Sequence, residues 1–290
     1  MLLLKPDIKM TDDEFRQLRS FIYDHCGLYF DLESKYVFEK RLSKRLDHHH
    51  MNSFKDYYYH LRYCRDNGVE LSIVIDLLTT NETYFFREDF QLKTFTDEIL
   101  PELMRKKRGT GNRSLRIWSA GCSSGEEPYT IAMLVLQNQE LRRWNVEIIG
   151  TDISRRVLSL AREGVYGQTS FRNTDDFFIQ RYFTEHDGKL RISDQIKRLV
   201  TISHLNLFDD SRISLLGKMD VIFCRNVIIY FDLEGKRKVI STFHNQLTEG
   251  GFLLLGHAES LMNISTDYDL RHFTHDMVYQ RPMRTREGWR

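Results

Sequence analysis

The chain has 290 residues, with 42 lysines and arginines against 41 aspartates and glutamates, and a formal net charge of +1. This balance does not require a nucleic acid or a membrane as partner. The length suits two unequal domains. The four cysteines lie far apart and form no Cys-x-x-Cys pair, which favours a reducing compartment and argues against a zinc site. Three leucines at positions 2–4 run into Lys5 and Pro6, and no later apolar run approaches about 18 residues. The sequence therefore predicts neither a signal segment nor a membrane span, and indicates a soluble cytoplasmic protein.

The first eighty residues predict amphipathic helices. Thr11 to Glu14 form a capping-box pattern, and the apolar residues that follow at helical spacing end at Gly27. A second helix is expected from about Glu33 to Asp47. Two more helices are expected to carry apolar stripes within residues 54–61 and 71–78.

The second helix is strongly basic. Its Lys40, Arg41, Lys44 and Arg45 either form a solvated face or dock an acidic partner helix or phosphates, and the sequence leaves both interpretations open. Three adjacent histidines follow at 48–50. Adjacent histidines on one loop seldom form a closed site without a further ligand group, so no metal is predicted.

From about Leu115 onward, short apolar runs alternate with helical stretches, which predicts an α/β domain with a doubly wound, mostly parallel sheet. A closing hairpin is expected at residues 268–273 and 277–281, and a small antiparallel insertion at 189–193 and 199–203. The polar end, 281–290, is expected to fray. The predicted strands are 115–120, 146–150, 219–224 and 252–256, and the predicted helices are 128–139, 154–162 and 233–248.

The loop after the first predicted strand gives the strongest signal of a site. Gly121 and Gly125 let the backbone approach a ligand closely, but neither a dinucleotide nor a triphosphate fingerprint is present. Glu126 and Glu127 would repel a pyrophosphate and suit a cation. S-adenosylmethionine has an amino group, a sulfonium and a ribose but no phosphate, so the loop favours it over NAD. The alternative is that the acids only complement the helix dipole. Asp152 ends the second strand, where such sheets bind ribose hydroxyls.

Five blocks of this sequence, taken in order, resemble the CheR family of chemotaxis receptor glutamate methyltransferases. They are residues 80–88, 118–129, 161–166, 223–232 and 256–260. The resemblance covers nearly the whole chain. It implies a helical N-terminal domain at 1–80 and an S-adenosylmethionine-dependent methyltransferase domain at 81–290, with an inserted β-subdomain at about 184–204.

The resemblance also implies the site and its chemistry. It implies that a methyl group passes in line to a glutamate carboxylate, leaving S-adenosylhomocysteine. Because a glutamate is already ionised at pH 7, the reaction needs positioning more than a strong base. Arg87 and Tyr230 are the candidates for orienting the carboxylate, although Arg87 could instead brace the cofactor and Tyr230 could pack beside Phe231. The implied cofactor contacts are Asn81, Thr83, Arg87, Glu127, Asp152, Asn206, Leu207, Arg225 and Asn226.

The implied partners are the cytoplasmic helices of methyl-accepting chemotaxis receptors, with no nucleic acid and no membrane insertion. Acidic faces on such helices would suit Lys40, Arg41, Lys44 and Arg45. The short connection at 184–189 argues against a tether to a receptor's C-terminal peptide; direct docking and delivery by another protein both stay open. Two alternatives remain, namely a methyltransferase for another substrate such as RNA and a non-catalytic cofactor-binding signalling module.

Overall fold

The computed structural model describes residues 8–64 and 67–283. The chain divides into two compact units. The helical unit comprises Met1–Thr80 and Tyr230–Asp232, and the sheet unit comprises Asn81–Ile229 and Leu233–Arg290. No helix in the described ranges is both long enough and apolar enough to cross a bilayer.

The helical unit has four helices: α1 Asp12–Cys26, α2 Lys35–His48, α3 Phe54–Tyr63 and α4 Asn67–Leu78. The predicted capping box is confirmed, because the Thr11 side chain accepts from the Glu14 N–H and the Glu14 side chain accepts from the Thr11 N–H. Gly27 ends α1 in a left-handed conformation, with φ at +73°. The apolar stripes face inward, with Phe15, Phe38 and Phe54 fully buried.

A short returning segment completes the helical unit. Phe231 forms an isolated antiparallel bridge with Leu28, and the Tyr29 N–H donates to the Tyr230 carbonyl at 2.9 Å. The Tyr23 hydroxyl donates to the Asp232 carboxylate at 3.1 Å. These backbone and side-chain bonds attach residues 230–232 to the end of α1.

The sheet unit contains a seven-stranded sheet in the order β6-β2-β1-β7-β8-β10-β9. The first five strands of this order are parallel, whereas β10 and β9 close the edge in antiparallel pairing. The predicted α/β fold and its closing hairpin are confirmed. The strands are β1 Ser114–Ala120, β2 Asn145–Asp152, β3 Val165–Tyr166, β4 Phe183–His186, β5 Lys189–Ile192, β6 Val200–His204, β7 Met219–Cys224, β8 Leu247–Leu255, β9 Asp269–His272 and β10 Met277–Gln280.

Helices connect these strands and bury the central ones. Every residue of β7 is buried, as a central strand of a parallel sheet requires. Strand order reverses between β1 and β7, so the carboxyl ends of β1, β2 and β7 meet where such sheets bind ligands. The helices are α5 Asp89–Thr94, α6 Leu100–Gly109, α7 Glu126–Gln137, α8 Arg155–Glu163, α9 Asp176–Tyr182, α10 Asp194–Lys197, α11 Asp210–Ser214 and α12 Leu233–Gln246.

The small antiparallel insertion is present, but one of its predicted strands is wrong. Its three strands have the order β3-β5-β4, whereas residues 200–204 form β6, which pairs in parallel with β2 in the main sheet. Because β6 is an edge strand and only partly buried, its sequence resembles that of a half-exposed hairpin strand. The connection at 184–189 is mostly β4 itself, followed by a tight turn in which Asp187 and Gly188 both have positive φ.

The sequence pattern predicts no elements between residues 89 and 109. This stretch contains α5, a π-helical segment at Phe95–Ile99 and α6, and it buries Phe95, Ile99 and Leu103 in the core. Of the polar C-terminal end, residues 284–290 lie outside the described ranges.

Candidate active site

The loop from β1 to α7 forms the centre of the site. Gly121 and Gly125 have φ of +82° and +94°, a region that L side chains rarely adopt. A Cβ at Gly121 would lie 2.4 Å from a Val227 methyl, and one at Gly125 would lie 2.9 Å from the Ala161 Cβ. The Gly121 N–H donates to the Thr151 carbonyl at 2.8 Å, which attaches the loop to β2. The loop therefore needs both glycines for its conformation and its close packing.

Asp152 lies at the carboxyl end of β2 and is buried. One carboxylate oxygen accepts from the Ser123 N–H at 2.8 Å, and the other accepts from the Ser154 N–H at 2.9 Å. The Ser123 hydroxyl in turn donates to the Asn81 carbonyl at 3.0 Å. Asp152 thus orders the loop after β1, and Ser123 brings Asn81 to the same place.

Glu127 and Arg225 meet at this edge. The Ser119 hydroxyl donates to one Glu127 oxygen at 2.7 Å, and Arg225 donates to the other at 3.3 Å. Arg225 also lies 3.3 Å from the Glu88 carboxylate and donates to the Arg87 carbonyl. Burial raises the pKa of Glu127, and the Arg225 charge opposes that shift. With its side chain only 3% exposed, Arg225 joins three segments of the site.

Glu126 has a different environment from Glu127. It is buried and accepts from the Ser124 hydroxyl at 2.7 Å and from the Ser170 hydroxyl at 3.0 Å. Burial raises its pKa, while these two hydroxyls act in the opposite direction. The Tyr166 hydroxyl donates to the Ser124 carbonyl at 2.9 Å. Through its bond to Ser170, Glu126 therefore attaches the loop to the segment that follows α8.

Arg87 lies in a strained segment. Phe86 and Glu88, on either side of it, both have left-handed backbone, with φ of +57° and +56°. Non-glycine residues persist in this conformation only where the surroundings hold them, and such residues cluster at functional sites. The Arg87 side chain is 29% exposed, and its guanidinium donates to the Glu82 carbonyl at 3.0 Å. Thr83, earlier in the same segment, is half-buried.

Three of the predicted cofactor contacts, Asn206, Leu207 and Asn226, lie directly after β6 and β7. The Leu205 N–H donates to the Asp152 carbonyl at 3.0 Å, which places Asn206 and Leu207 directly beyond this bond. The Asn206 side-chain oxygen accepts from the Phe208 N–H at 3.0 Å, and Leu207 is buried. Asn226 has left-handed backbone, with φ of +59°, and its buried Oδ1 has no hydrogen-bond partner among the described residues.

Glu259, to which the sequence pattern assigns no role, has a carboxylate that accepts four backbone N–H groups. Burial raises its pKa, and the four amide donors oppose the shift. The sequence feature that could have indicated a role for Glu259 is its position in the block at 256–260, one of the five blocks that carry the family resemblance. Tyr230, by contrast, belongs to the helical unit, and its role in orienting a substrate stays a prediction.

The four basic residues of α2 do not share one environment. Arg41 donates to the carbonyls of Leu77 and Leu78 at 3.0 Å, at the end of α4. Arg45 forms two hydrogen bonds with the buried Glu70, at 2.8 and 2.5 Å. Lys40 and Lys44 are exposed and have no ion-pair partner in the described part of the chain. Two of these residues therefore contribute to the helical unit itself.

The donor set suits S-adenosylmethionine. Carboxylates at the loop and at the end of β2 fit a ligand with an amino group, a sulfonium and a ribose. Within residues 8–64 and 67–283, no group of three or more His, Cys, Asp or Glu side chains is placed to hold a metal ion.

Comparison with known proteins assigns the chain to a family. The family model of the CheR methyltransferase SAM binding domain matches residues 81–277, and that of the CheR methyltransferase all-alpha domain matches residues 13–79. Chemotaxis protein methyltransferase 2 of Vibrio cholerae is 37% identical over 278 residues, which cover 95% of each chain. The chemotaxis protein methyltransferase of Borreliella burgdorferi is 38% identical, over 88% of this chain and 90% of its own. That of Vibrio parahaemolyticus is 34% identical, over 94% and 98%. The resemblance inferred from the five sequence blocks is confirmed: this chain belongs to the CheR family of S-adenosylmethionine-dependent chemotaxis methyltransferases.

Proposed function

We propose that this protein transfers the methyl group of S-adenosylmethionine to glutamate side chains of chemotaxis receptors, giving glutamyl methyl esters and S-adenosylhomocysteine. One observation carries the proposal: Arg225 connects Glu127, a carboxylate suited to a cation, to the backbone of Arg87, whose guanidinium is suited to an incoming carboxylate. The Arg225 guanidinium donates to the Glu127 carboxylate and to the Arg87 carbonyl. A site that joins a sulfonium to a carboxylate needs both kinds of group close together.

The cofactor supplies an electrophilic methyl group when it is bound. A glutamate side chain is ionised at neutral pH, so the protein has to orient the carboxylate and not to deprotonate it. The Arg87 guanidinium is partly exposed, and a hydrogen bond to the Glu82 carbonyl fixes its position. This exposure and fixed position suit the guanidinium to pair with an incoming carboxylate. Tyr230 is the second candidate, since a phenol can donate to the same carboxylate.

The remaining site residues are proposed to bind the cofactor. Asp152 would accept from the ribose hydroxyls, as the end of β2 favours. Asn206 and Leu207 would flank the adenine with an amide and an apolar side chain. The buried Oδ1 of Asn226, which has no hydrogen-bond partner in the part of the chain that the structure describes, is suited to accept from the cofactor's amino group. Asn81, Thr83, Glu127 and Arg225 complete the proposed set.

The domain boundaries and the docking surface are also proposals. We assign residues 1–80 to receptor docking and 81–290 to catalysis, with the β3-β5-β4 sheet as the inserted subdomain. Exposure supports Lys40 and Lys44 as docking residues, because they lie four residues apart on α2 and therefore share a face. A reducing, cytoplasmic location is supported by the described cysteines, all four of which are free. The tight turn at 187–188 supports docking by α2 over a peptide tether at this point.

One assay tests the proposed reaction. The protein is incubated with methyl-labelled S-adenosylmethionine and either a receptor cytoplasmic fragment or RNA, and each product is then treated with mild base. A glutamyl methyl ester releases volatile labelled methanol, which is the expected result. Base-stable label on RNA would instead indicate a nucleic-acid methyltransferase. Tight cofactor binding without transfer to any receptor fragment would indicate a non-catalytic module, and either result would refute the proposal.

A further inference from the structure

Glu259 makes an unusual set of contacts for a single carboxylate. Its Oε2 accepts from the N–H groups of Gly256 at 2.7 Å and Asn226 at 2.8 Å. Its Oε1 accepts from those of Val227 at 2.9 Å and Ile229 at 3.2 Å. Only the Gly256 contact is local in sequence. The other three attach the chain beyond β8 to the segment that follows β7.

The segment held by Glu259 is part of the site. It begins after Arg225, which is bonded to Glu127, and it contains Asn226 in a left-handed conformation. Val227 packs so closely against the loop after β1 that a Cβ on Gly121 would meet its methyl at 2.4 Å. A shift of residues 226–229 would therefore move groups proposed to contact the cofactor and would also alter the packing of the cofactor loop.

We propose that Glu259 is a positioning residue for methyl transfer, which acts by holding residues 226–229 in the conformation that binds cofactor and substrate. This inference rests on the proposed function for its kinetic readout only. A turn cap at the end of β8 would need the Gly256 bond alone. Three further bonds to one distant segment show that the carboxylate fixes that segment as well.

The chemistry requires a carboxylate and not an amide. Each carboxylate oxygen accepts two N–H groups here, whereas a glutamine has one acceptor oxygen and one NH₂ group that only donates. Glu259→Gln would therefore leave two backbone donors facing a third donor in a partly buried place. Glu259→Asp keeps both acceptor oxygens but is one methylene shorter, so it should restore part of the function at the cost of a small shift.

The test compares Glu259→Gln, Glu259→Asp and Glu234→Gln in the full-length protein. Glu234 is an exposed glutamate at the start of α12, so its variant controls for the loss of one charge. For Glu259→Gln we expect S-adenosylhomocysteine to bind about 10-fold more weakly by calorimetry and kcat to fall about 100-fold at saturating cofactor. Glu259→Asp should keep a reduced kcat of at least about a tenth of the wild-type value, and Glu234→Gln should match the wild type.

Binding of S-adenosylhomocysteine needs no receptor, so it separates this inference from the proposed reaction. If the wild type methylates no receptor, the proposed function fails, while a weakened affinity of Glu259→Gln would still support positioning. Wild-type affinity and wild-type kcat in Glu259→Gln would overturn the inference. So would activity that falls only with the folded fraction measured by circular dichroism. If Glu259→Gln does not fold, Glu259→Asp decides: reduced kcat in a folded protein supports positioning, and unchanged kcat refutes it.

Discussion

Replacement of Arg45 by alanine should destabilise the helical unit, because this arginine neutralises a buried glutamate. Arg45 binds both oxygens of Glu70, which is only 6% exposed. The Tyr57 hydroxyl donates to Glu70 at 2.5 Å, and His49 Nε2 lies 3.1 Å from it. The network joins α2, α3 and α4. Without Arg45, the carboxylate would stay buried with weaker partners.

The pKa of Glu70 gives the magnitude. Burial alone would raise it, but hydrogen bonds from Arg45, Tyr57 and His49 lower it from 4.5 to about 2. At about 1.4 kcal/mol for each pKa unit, lowering the pKa from 4.5 to about 2 corresponds to a net gain of about 3.5 kcal/mol for the ionised form, after the cost of its burial. Arg45 keeps 18% side-chain exposure and supplies only part of this, so solvent screening reduces its share to about 2 kcal/mol.

The pH dependence follows from the sign of this shift. Because the folded-state pKa of Glu70 lies below its unfolded value, the stabilisation is complete above pH 4.5 and is lost as the pH falls toward 2. Wild type and Arg45→Ala should therefore differ most at neutral pH. Their difference in free energy of unfolding should shrink as Glu70 becomes protonated.

Amide hydrogen exchange on the full-length protein measures the effect. A loss of about 2 kcal/mol corresponds to roughly 30-fold faster exchange in α2 and α4 at pH 7. Lys44→Ala, an exposed change one residue away on the same helix, should leave exchange unchanged. If Arg45→Ala exchanges like the wild type and yet methylates receptors poorly, Arg45 is a docking residue and the reasoning from its contacts is wrong.

Three further predictions concern docking and cofactor binding. Lys44→Glu should lower receptor methylation about 10-fold at low salt without changing cofactor affinity, whereas Lys55→Glu, also exposed on the helical unit, should not; equal losses would attribute the effect to net charge. Gly121→Ala should weaken binding of S-adenosylhomocysteine at least 10-fold by calorimetry, because its φ is +82° and its Cβ would meet a methyl at 2.4 Å. Gly167→Ala has open space and should bind normally. Asp152→Asn should also weaken this binding about 10-fold, since an amide has one acceptor oxygen and cannot accept from both the Ser123 and the Ser154 N–H. Unchanged affinity would show that Asp152 neither orders the loop for the cofactor nor holds the ribose.

Local chemistry made much of the fold predictable. The capping box at Thr11 and the left-handed Gly27 depend on residues within one helical turn, so the local sequence is sufficient to predict both. Most residues of β1, β2 and β7 are buried, so these strands form short, largely apolar runs that predict them. The acid at the end of β2 follows from that strand assignment.

Features that depend on distant partners were not predictable in the same way. β6 is an edge strand, and its half-buried pattern suits a hairpin as well as a parallel neighbour. Glu259 follows β8 by only a few residues, but three of its four donors come from the segment after β7. A glutamate with one local turn contact and a glutamate that fixes an active-site segment have the same local sequence signal.

The basic helix shows where more could have been inferred. In α2, Phe38, Leu42 and Leu46 are buried, and successive residues turn by about 100°. Arg41 and Arg45 therefore lie within about 60–100° of this apolar stripe, whereas Lys40 and Lys44 lie about 160–200° from it. The sequence could thus have separated two basic residues at the border of the core from two that face solvent. It could not have identified Glu70 or the carbonyls at the end of α4 as the partners, because those contacts exist only once α2 and α4 are packed together.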